Sequence, residues 1–349
     1  MTRVALVGTE LCTITSATGG LERLVQGWAL ALAERYDVVL VDMRPDDATT
    51  HEINGVPVLA VSSPEELART IRAFGPEVVQ TNNRCLWDTG DALRVNTFHN
   101  YPQGWSSELG GGGLSKLRSA IAQQTTTTVS RALGAQVESM FALGQGQVRV
   151  TYPFVAQEFL NQSFEGGGGI LFPSRLLAKK GPEQVLAAAA SLGLEERLSF
   201  LDYVTPFLRT STEYLSIRDH LVRSKARLRP HEEHPIDLAA IYAKADLVVV
   251  VATEPEGMGL VALEAQGVGT PVLTAGPGGL KEATFVPNEH LGQFDPASLA
   301  GGIARALERD VDSSTKESIA QVFSLEASTA ALEATWNGQW APEERSAGG

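Results

Sequence analysis

Cysteine is almost missing. The 349 residues hold two, Cys12 and Cys85, far apart and without a Cys-x-x-Cys pair. That excludes a small disulfide-stapled fold and a thiolate-ligated zinc centre, and leaves two reduced, buried thiols as the expectation. Long apolar runs are missing too. Met1 to Gly8 is apolar but far shorter than the roughly 18 residues of a membrane span, and no signal-cleavage pattern follows it. Positive charge is scarce, with 28 Lys and Arg against 41 Asp and Glu and a net charge of −13. Broad nucleic-acid binding needs cations to neutralise phosphates, so no nucleic-acid partner is expected, and docking on anionic membranes is disfavoured. The expectation is a soluble, cytoplasmic protein.

Several chemical signatures are missing as well. There is no Gly-x-Gly-x-x-Gly, P-loop, Gly-x-Ser-x-Gly or Cys–His arrangement. The tetrapeptide His231 to His234 lacks the i, i+4 histidine spacing of a helical zinc site, and no cysteine is near. No metal and no cofactor are expected.

What is present is ordinary globular composition, 43% hydrophobic and 20% charged, in a chain long enough for two domains. Short apolar runs alternate with amphipathic helices, the pattern of parallel α/β sheets. "RVALVG" from Arg3 reads as a buried first strand, and a helix follows over Gly19 to Tyr36. "DVVLVDM", "PEVVQTN", "RVNTFHN" and "TTTTVS" read as further strands. "PEELARTIRAFG" is a helix closed by Gly75, and Ser130 reads as the N-cap of a helix through Phe141. After "EGGGG" (Glu165 to Gly169) the alternation restarts with the strand "ILFPS" and a helix opened by Pro182. It continues through the strands "RLSFLDY", "KARLRP", "DLVVVVA" and "PVLTA" and the helices "DLAAIYAKA" and "GLVALEAQG". The expected fold is therefore two Rossmann-like doubly wound parallel-sheet domains facing a cleft. Residues 1–155 and 156–325 form the domains, 326–340 a last helix, and 341–349 a disordered tail. Ligands of such sheets bind at the carboxyl ends of strands.

Three segments point to chemistry there. In Glu254 to Gly279, Gly257 and Gly259 flank Met258 where a helix must begin. A glycine turn opening a helix leaves N–H groups and the positive end of the helix dipole free for an anion. Glu256 precedes that turn, and Glu264 lies about two turns along the helix, so the two carboxylates can grip different hydroxyl pairs of one ligand. In Ser174 to Gly181, Arg175 and Lys180 emerge after a strand, a cation pair suited to a diphosphate. In Ser16 to Val25, Gly19 and Gly20 precede a helix and allow close backbone approach. Each segment alone is equally a surface turn. His99 ends the strand "RVNTFH", where a structural histidine is the plainer alternative.

Together these segments resemble the retaining GT-B enzymes of glycosyltransferase family 4, over nearly the whole chain. "GGLERLVQGWALAL" resembles that family's N-terminal Gly-Gly-x-Glu helix, "VNTFHN" its strand-end histidine, and "SRLLAKKG" its Gly-Arg-Leu…Lys-Gly segment. "EPEGMGLVALEAQGVGTPVLTAGPGG" resembles its two-glutamate signature. The resemblance implies a nucleotide-diphosphate sugar donor, UDP-sugar first. Glu264 would bind ribose and Glu256 the donor sugar. Arg175, Lys180 and the backbone at Gly20, Gly257, Met258, Gly259 and Leu260 would bind the diphosphate. His99 would lie near the reacting carbon, so His99 and Glu256 become the catalytic candidates. It also implies metal-independent transfer with retained anomeric configuration, and a last helix that crosses back onto the first domain.

The chain departs from that pattern in places. Ser174 replaces a glycine. "TYPFVAQEF" (Thr151 to Phe159) lacks the family's Pro-Asn-Gly-Val-Asp. Asp202 to Leu221 does not match, which leaves the nucleotide base unnamed, with Arg229 and His231 as its candidate contacts. Residues 1–153 carry twelve Lys or Arg against fifteen Asp or Glu, so a soluble acceptor of cyclitol, aminoglycoside or secondary-metabolite type is expected. A growing glycan is the alternative. Outside transfer, the alternatives are a non-hydrolysing sugar-nucleotide epimerase and a catalytically dead nucleotide-sugar-binding protein.

Overall fold

The computed structural model describes residues 1–8, 20–43, 51–83, 89–101, 115, 117–119, 121–202, 204, 208–230, 237–309 and 313–339. The chain divides into two compact units. One comprises residues 1–154 and 325–349, the other residues 155–324.

The first unit is built on an eight-stranded sheet. Its strands are β1 (Arg3–Val7), β2 (Asp37–Met43), β3 (His51–Ile53), β4 (Val56–Val61), β5 (Val78–Asn82), β6 (Leu93–Phe98), β7 (Thr125–Thr128) and β8 (Arg149–Val150). Their order is β3-β4-β2-β1-β5-β6-β7-β8. All pairings are parallel except β3 with β4. That antiparallel pair is a hairpin turned at Asn54 and Gly55, whose φ values of 47° and 87° are those an Asn-Gly turn supplies. Helices α1 (Gly20–Leu32), α2 (Pro64–Phe74) and α3 (Arg131–Phe141) cover the sheet. Helix α1 stops four residues before Tyr36, the end expected from its apolar spacing. The caps follow the sequence. Ser63 Oγ accepts from Glu66 N, Gly75 closes α2 at φ 62°, and Ser130 Oγ accepts from Leu133 N.

Strands β5 to β7 are buried yet polar. Gln80, Thr81, Asn82, Asn96, Thr97, Thr126, Thr127 and Thr128 are all withdrawn from solvent. Burying polar groups is costly unless they are paired, and several of these pair with one another. Gln80 Nε2 donates to Thr97 Oγ1 at 2.8 Å, which shares a 2.7 Å bond with Thr127 Oγ1, while Thr81 Oγ1 donates to Asn96 Oδ1 at 3.0 Å.

The second unit holds six parallel strands, β9 (Ile170–Phe172), β10 (Leu198–Asp202), β11 (Arg227–Pro230), β12 (Leu247–Val251), β13 (Val272–Ala275) and β14 (Glu289–Leu291). Their order is β11-β10-β9-β12-β13-β14. Its helices are α4 (Gln157–Asn161), α5 (Pro182–Ser191), α6 (Thr212–Arg223), α7 (Leu238–Lys244), α8 (Leu260–Val268), α9 (Pro296–Leu307) and α10 (Ser313–Val322). The apolar core gathers Phe172, Phe200, Val249, Leu273 and Ile303, with the Phe172 and Phe200 rings 5.3 Å apart. The strand order reverses between β9 and β12. The carboxyl ends of those two strands therefore flank the crevice where such sheets take ligands.

A final helix, α11 (Leu325–Trp336), belongs to the first unit. Trp28 Nε1 donates to Ser328 Oγ at 2.9 Å, and Arg35 grips Glu333 with two bonds of 3.0 and 3.1 Å. Trp336 Nε1 donates to Gln80 Oε1 at 3.3 Å, and its ring meets Tyr36 edge-on. Among the described residues no helix is long and apolar enough to cross a membrane.

Candidate functional site

In the second unit, Arg175, Lys180 and Glu256 collect at the switch point. After β9 the chain enters a short 3-10 turn, Ala178–Lys180, that presents Lys180 and closes at Gly181 with φ 66°. Glu213 Oε1 anchors this turn by accepting from Ala178 N at 2.7 Å, and Thr253 N, just after β12, donates to Lys179 O at 2.9 Å. The segment carrying Lys180 is thus tied to the segment leading into Glu256. Lys180 Nζ donates to Glu256 Oε2 in a close ion pair. Burial opposes ionisation of Glu256. The Lys180 charge and hydrogen bond, joined by Arg175 and Lys179, outweigh it and hold the carboxyl below its ordinary value.

The backbone around Glu256 is also fixed. Glu256 N donates to Pro277 O at 3.1 Å, and Gly279 N donates to Glu256 O at 2.8 Å. The loop after β13 approaches so closely that a Cβ at Gly279 would lie 2.2 Å from Gly257 O, and one at Gly276 1.9 Å from Ala252 O. Only glycine permits that approach. Gly259 then opens α8 at φ 91° with no side-chain cap. Among the described residues, Met258, Gly259 and Leu260 give their N–H groups to no partner. The helix therefore points unmet donors and its positive dipole end out of the turn.

Glu264 is buried in α8, and Tyr242 Oη approaches its Oε2 at 3.4 Å. The sequence reading puts it about two turns along the helix. The helix begins at Leu260, so Glu264 stands little more than one turn in. Half of its separation from Glu256 is non-helical loop. Arg229 lies on β11 beside Leu201 of β10. His231 falls outside the described residues, as do Gly19, both cysteines and the expected tail 341–349. The sequence also holds one Asp-x-Asp spacing, Asp310 and Asp312, which the metal-free expectation passes over and which likewise lies outside them. Among the described residues no three His, Cys, Asp or Glu side chains gather as a metal site.

In the first unit, Gly20 begins α1, and His99 follows β6 directly. His99 Nε2 meets Asn82 Oδ1 at 2.8 Å, its backbone N donates to Asn83 Oδ1 at 2.8 Å, and its ring lies 5.9 Å from that of Trp28. Burial pushes its pKa down to about 3, so the ring is neutral. In the sequence Asn82 and Asn83 read only as the polar end of a strand, with no role attached. The signal available was two consecutive asparagines after a buried strand, at a carboxyl end where ligand-side residues collect.

The sheets, the switch-point cations and carboxylate, and the glycine-opened helix define a GT-B architecture of two parallel-sheet α/β domains. Comparison with known proteins agrees. The pattern of the family described as Glycosyl transferases group 1 matches residues 157–321. Glycogen synthase of Mycobacterium tuberculosis is 26% identical over 350 aligned residues, covering 84% of this chain and 83% of that enzyme. D-inositol 3-phosphate glycosyltransferase 1 of Catenulispora acidiphila is 37% identical over 152 residues, but this covers only 40% of this chain and 36% of that enzyme. Sucrose-phosphate synthase of Thermosynechococcus elongatus superposes with a TM-score of 0.79 at 18% identity, covering 97% of this chain and 99% of that one. Anabaena HepE, solved with UDP and glucose, gives a TM-score of 0.68 at 14% identity, with 97% and 100% covered. Together the likenesses support a GT-B glycosyltransferase.

Proposed function

We propose that this protein is a retaining, metal-independent glycosyltransferase that moves a sugar from a nucleoside-diphosphate sugar to a soluble hydroxylated acceptor. The observation that carries the reading is the switch point of the second unit. There Lys180, Arg175 and Glu256 converge beside a helix N-terminus whose N–H groups are unmet. Cations and free N–H groups suit a diphosphate, and a fixed carboxylate suits sugar hydroxyls. In this reading Arg175, Lys180 and the N–H groups at Met258, Gly259 and Leu260 take the diphosphate. Glu256 takes the donor sugar, Glu264 the ribose, and Arg229 with His231 the base. The first unit supplies His99 and Gly20.

The chemistry then follows from charge placement. The bond from the sugar's anomeric carbon to the diphosphate breaks, with its electron pair going to phosphate oxygen. The acceptor oxygen bonds to the same carbon from the same face and gives its proton to the departing phosphate. Positioned cations and N–H groups stabilise the negative charge as it develops. UDP is the first nucleotide to test, since a structure of this fold holds UDP with glucose.

For the acceptor we favour a small cyclitol-type, aminoglycoside-type or secondary-metabolite hydroxyl compound. The partial likeness to an inositol-phosphate glycosyltransferase supports a cyclitol. A second reading, a glycan acceptor, is supported by the longer likeness to glycogen synthase. The test is acceptor-dependent release of nucleoside diphosphate in EDTA, with the product's anomeric configuration read by NMR. Release with retention supports the proposal. Inversion, or activity that EDTA abolishes, contradicts it. Sugar-nucleotide conversion without acceptor would instead mark an epimerase, and binding without turnover a dead site.

A further inference from the structure

The first unit holds a hydrogen-bond chain that ends on His99. Asn82 Nδ2 donates to Val7 O at 2.8 Å. A backbone carbonyl only accepts, so the amide nitrogen must face Val7 and the amide oxygen must face away from it. That oxygen lies 2.8 Å from His99 Nε2. An amide oxygen only accepts as well, so Nε2 must carry the ring proton. Because the buried ring holds one proton and not two, Nδ1 is left as a bare lone pair. Among the described residues Nδ1 makes no hydrogen bond.

The ring is held in the other directions too. Trp28 lies against it at 5.9 Å and is itself fixed by its bond to Ser328, which donates to Tyr152 O. Asn83, at φ 64°, accepts from both His99 N and Asn100 N and so pins the backbone that carries the ring. Consecutive asparagines at the end of β5 therefore hold one histidine by its side chain and by its main chain.

We propose that Asn82 is a positioning residue that fixes His99 as the neutral Nε2–H tautomer, making the Nδ1 lone pair the ring atom offered to a ligand. Such an atom accepts from a hydroxyl O–H and cannot donate to a phosphate or a carbonyl. Resting on the transferase reading above, the ligand group is a sugar hydroxyl. Asn82 then acts through His99 without itself touching substrate.

The full chain labelled with ¹⁵N-histidine tests this by long-range ¹H–¹⁵N correlation, the His99 signals being assigned by their loss in His99→Gln. The wild-type spectrum at neutral pH should show Nε2 protonated and Nδ1 bare. A protonated Nδ1, whether as the other tautomer or as imidazolium, overturns the proposal. In Asn82→Ala and Asn82→Ser both tautomers should appear. An undisturbed Nε2–H in a folded variant also overturns it. If Asn82→Ala does not fold, Asn82→Ser and the wild-type spectrum decide. Turnover in the variants should fall at least about tenfold in kcat, as for a misplaced catalytic group, with donor KM nearly unchanged. A chain that shows the Nε2–H tautomer but neither binds nucleotide nor turns over defeats the transferase reading and leaves the Asn82 assignment standing.

Discussion

Lys180 and Glu256 come from the ends of two different strands and are paired with each other at the switch point of the second unit. Each is also the group proposed for a different part of the donor. On that proposed assignment, a diphosphate that draws Lys180 away frees the Glu256 carboxylate for sugar hydroxyls, which couples the two contacts.

Glu256→Gln keeps the side-chain shape and removes the charge. Hydrogen bonds to a charged group are worth about 1.5–3 kcal/mol, so kcat should fall roughly 10- to 100-fold. Nucleoside diphosphate affinity should change little, because Glu256 is assigned to the sugar. Steady-state kinetics beside isothermal titration with UDP read both quantities.

Lys180→Met tests the electrostatics of the pair. In the wild type the Glu256 carboxyl is held below its ordinary value of 4.5. Its stabilisation is complete above that value and is lost as pH falls through the lower folded value. Without Lys180, burial is less opposed and the carboxyl titrates at higher pH. Urea melts between pH 3 and 7 should show the variant less stable near neutrality and losing less on acidification, so that the two profiles converge at low pH, and parallel profiles would contradict the pairing.

His99 carries the opposite kind of pH signature. Its pKa is pushed from 6.5 to about 3 by burial. The unfolded chain therefore binds a proton that the folded chain does not, and stability rises with pH across that window. The contribution is complete above 6.5 and erodes as pH falls toward 3. His99→Gln should flatten this part of the stability profile, and the rate profile of the wild type should show no His99 ionisation near neutrality.

Gly259→Ala tests the turn that opens α8. The residue sits at φ 91°, and an added Cβ would lie 2.6 Å from Leu280 Cδ2. A non-glycine residue in such a conformation costs about 1–3 kcal/mol. The variant should melt at lower urea concentration and should also bind nucleoside diphosphate more weakly, since the N–H groups at the turn shift with it.

Glu264→Ala removes the carboxylate proposed for the ribose. UDP affinity should fall about tenfold or more, as loss of hydrogen bonds to a charged group implies. Tyr242→Phe, which removes the hydroxyl 3.4 Å from Glu264 but leaves the carboxylate in place, should bind UDP nearly as the wild type does.

Much of this architecture is legible in the residues. Buried parallel strands such as "DLVVVVA" announce themselves, because both faces need apolar side chains. Caps at Ser63, Gly75, Ser130 and Pro182 fix helix ends locally. The β3–β4 hairpin was legible too, from Asn54-Gly55, but a search for long apolar runs passes over strands this short. Helix α6 hides because its apolar residues do not all mark one face: Leu215 and Val222 stay exposed, and only Tyr214, Ile217 and Leu221 reach the core. Arg175, Lys180 and Glu256 share a neighbourhood only through the strand order, which no local pattern reveals. The Asn82–His99 bond is likewise a product of register, since the two residues are adjacent only where β5 and β6 pair.

The account stands most directly on a thermal-shift measurement of the wild type and Glu264→Ala with UDP, GDP, ADP, dTDP and their common sugar conjugates, each with and without EDTA. A ligand that binds only the folded state raises stability by RT ln(1 + [L]/Kd). The account predicts a clear shift from one nucleotide, unchanged by EDTA and much reduced in Glu264→Ala. A wild type that no nucleotide stabilises, or a shift that EDTA abolishes, would contradict it.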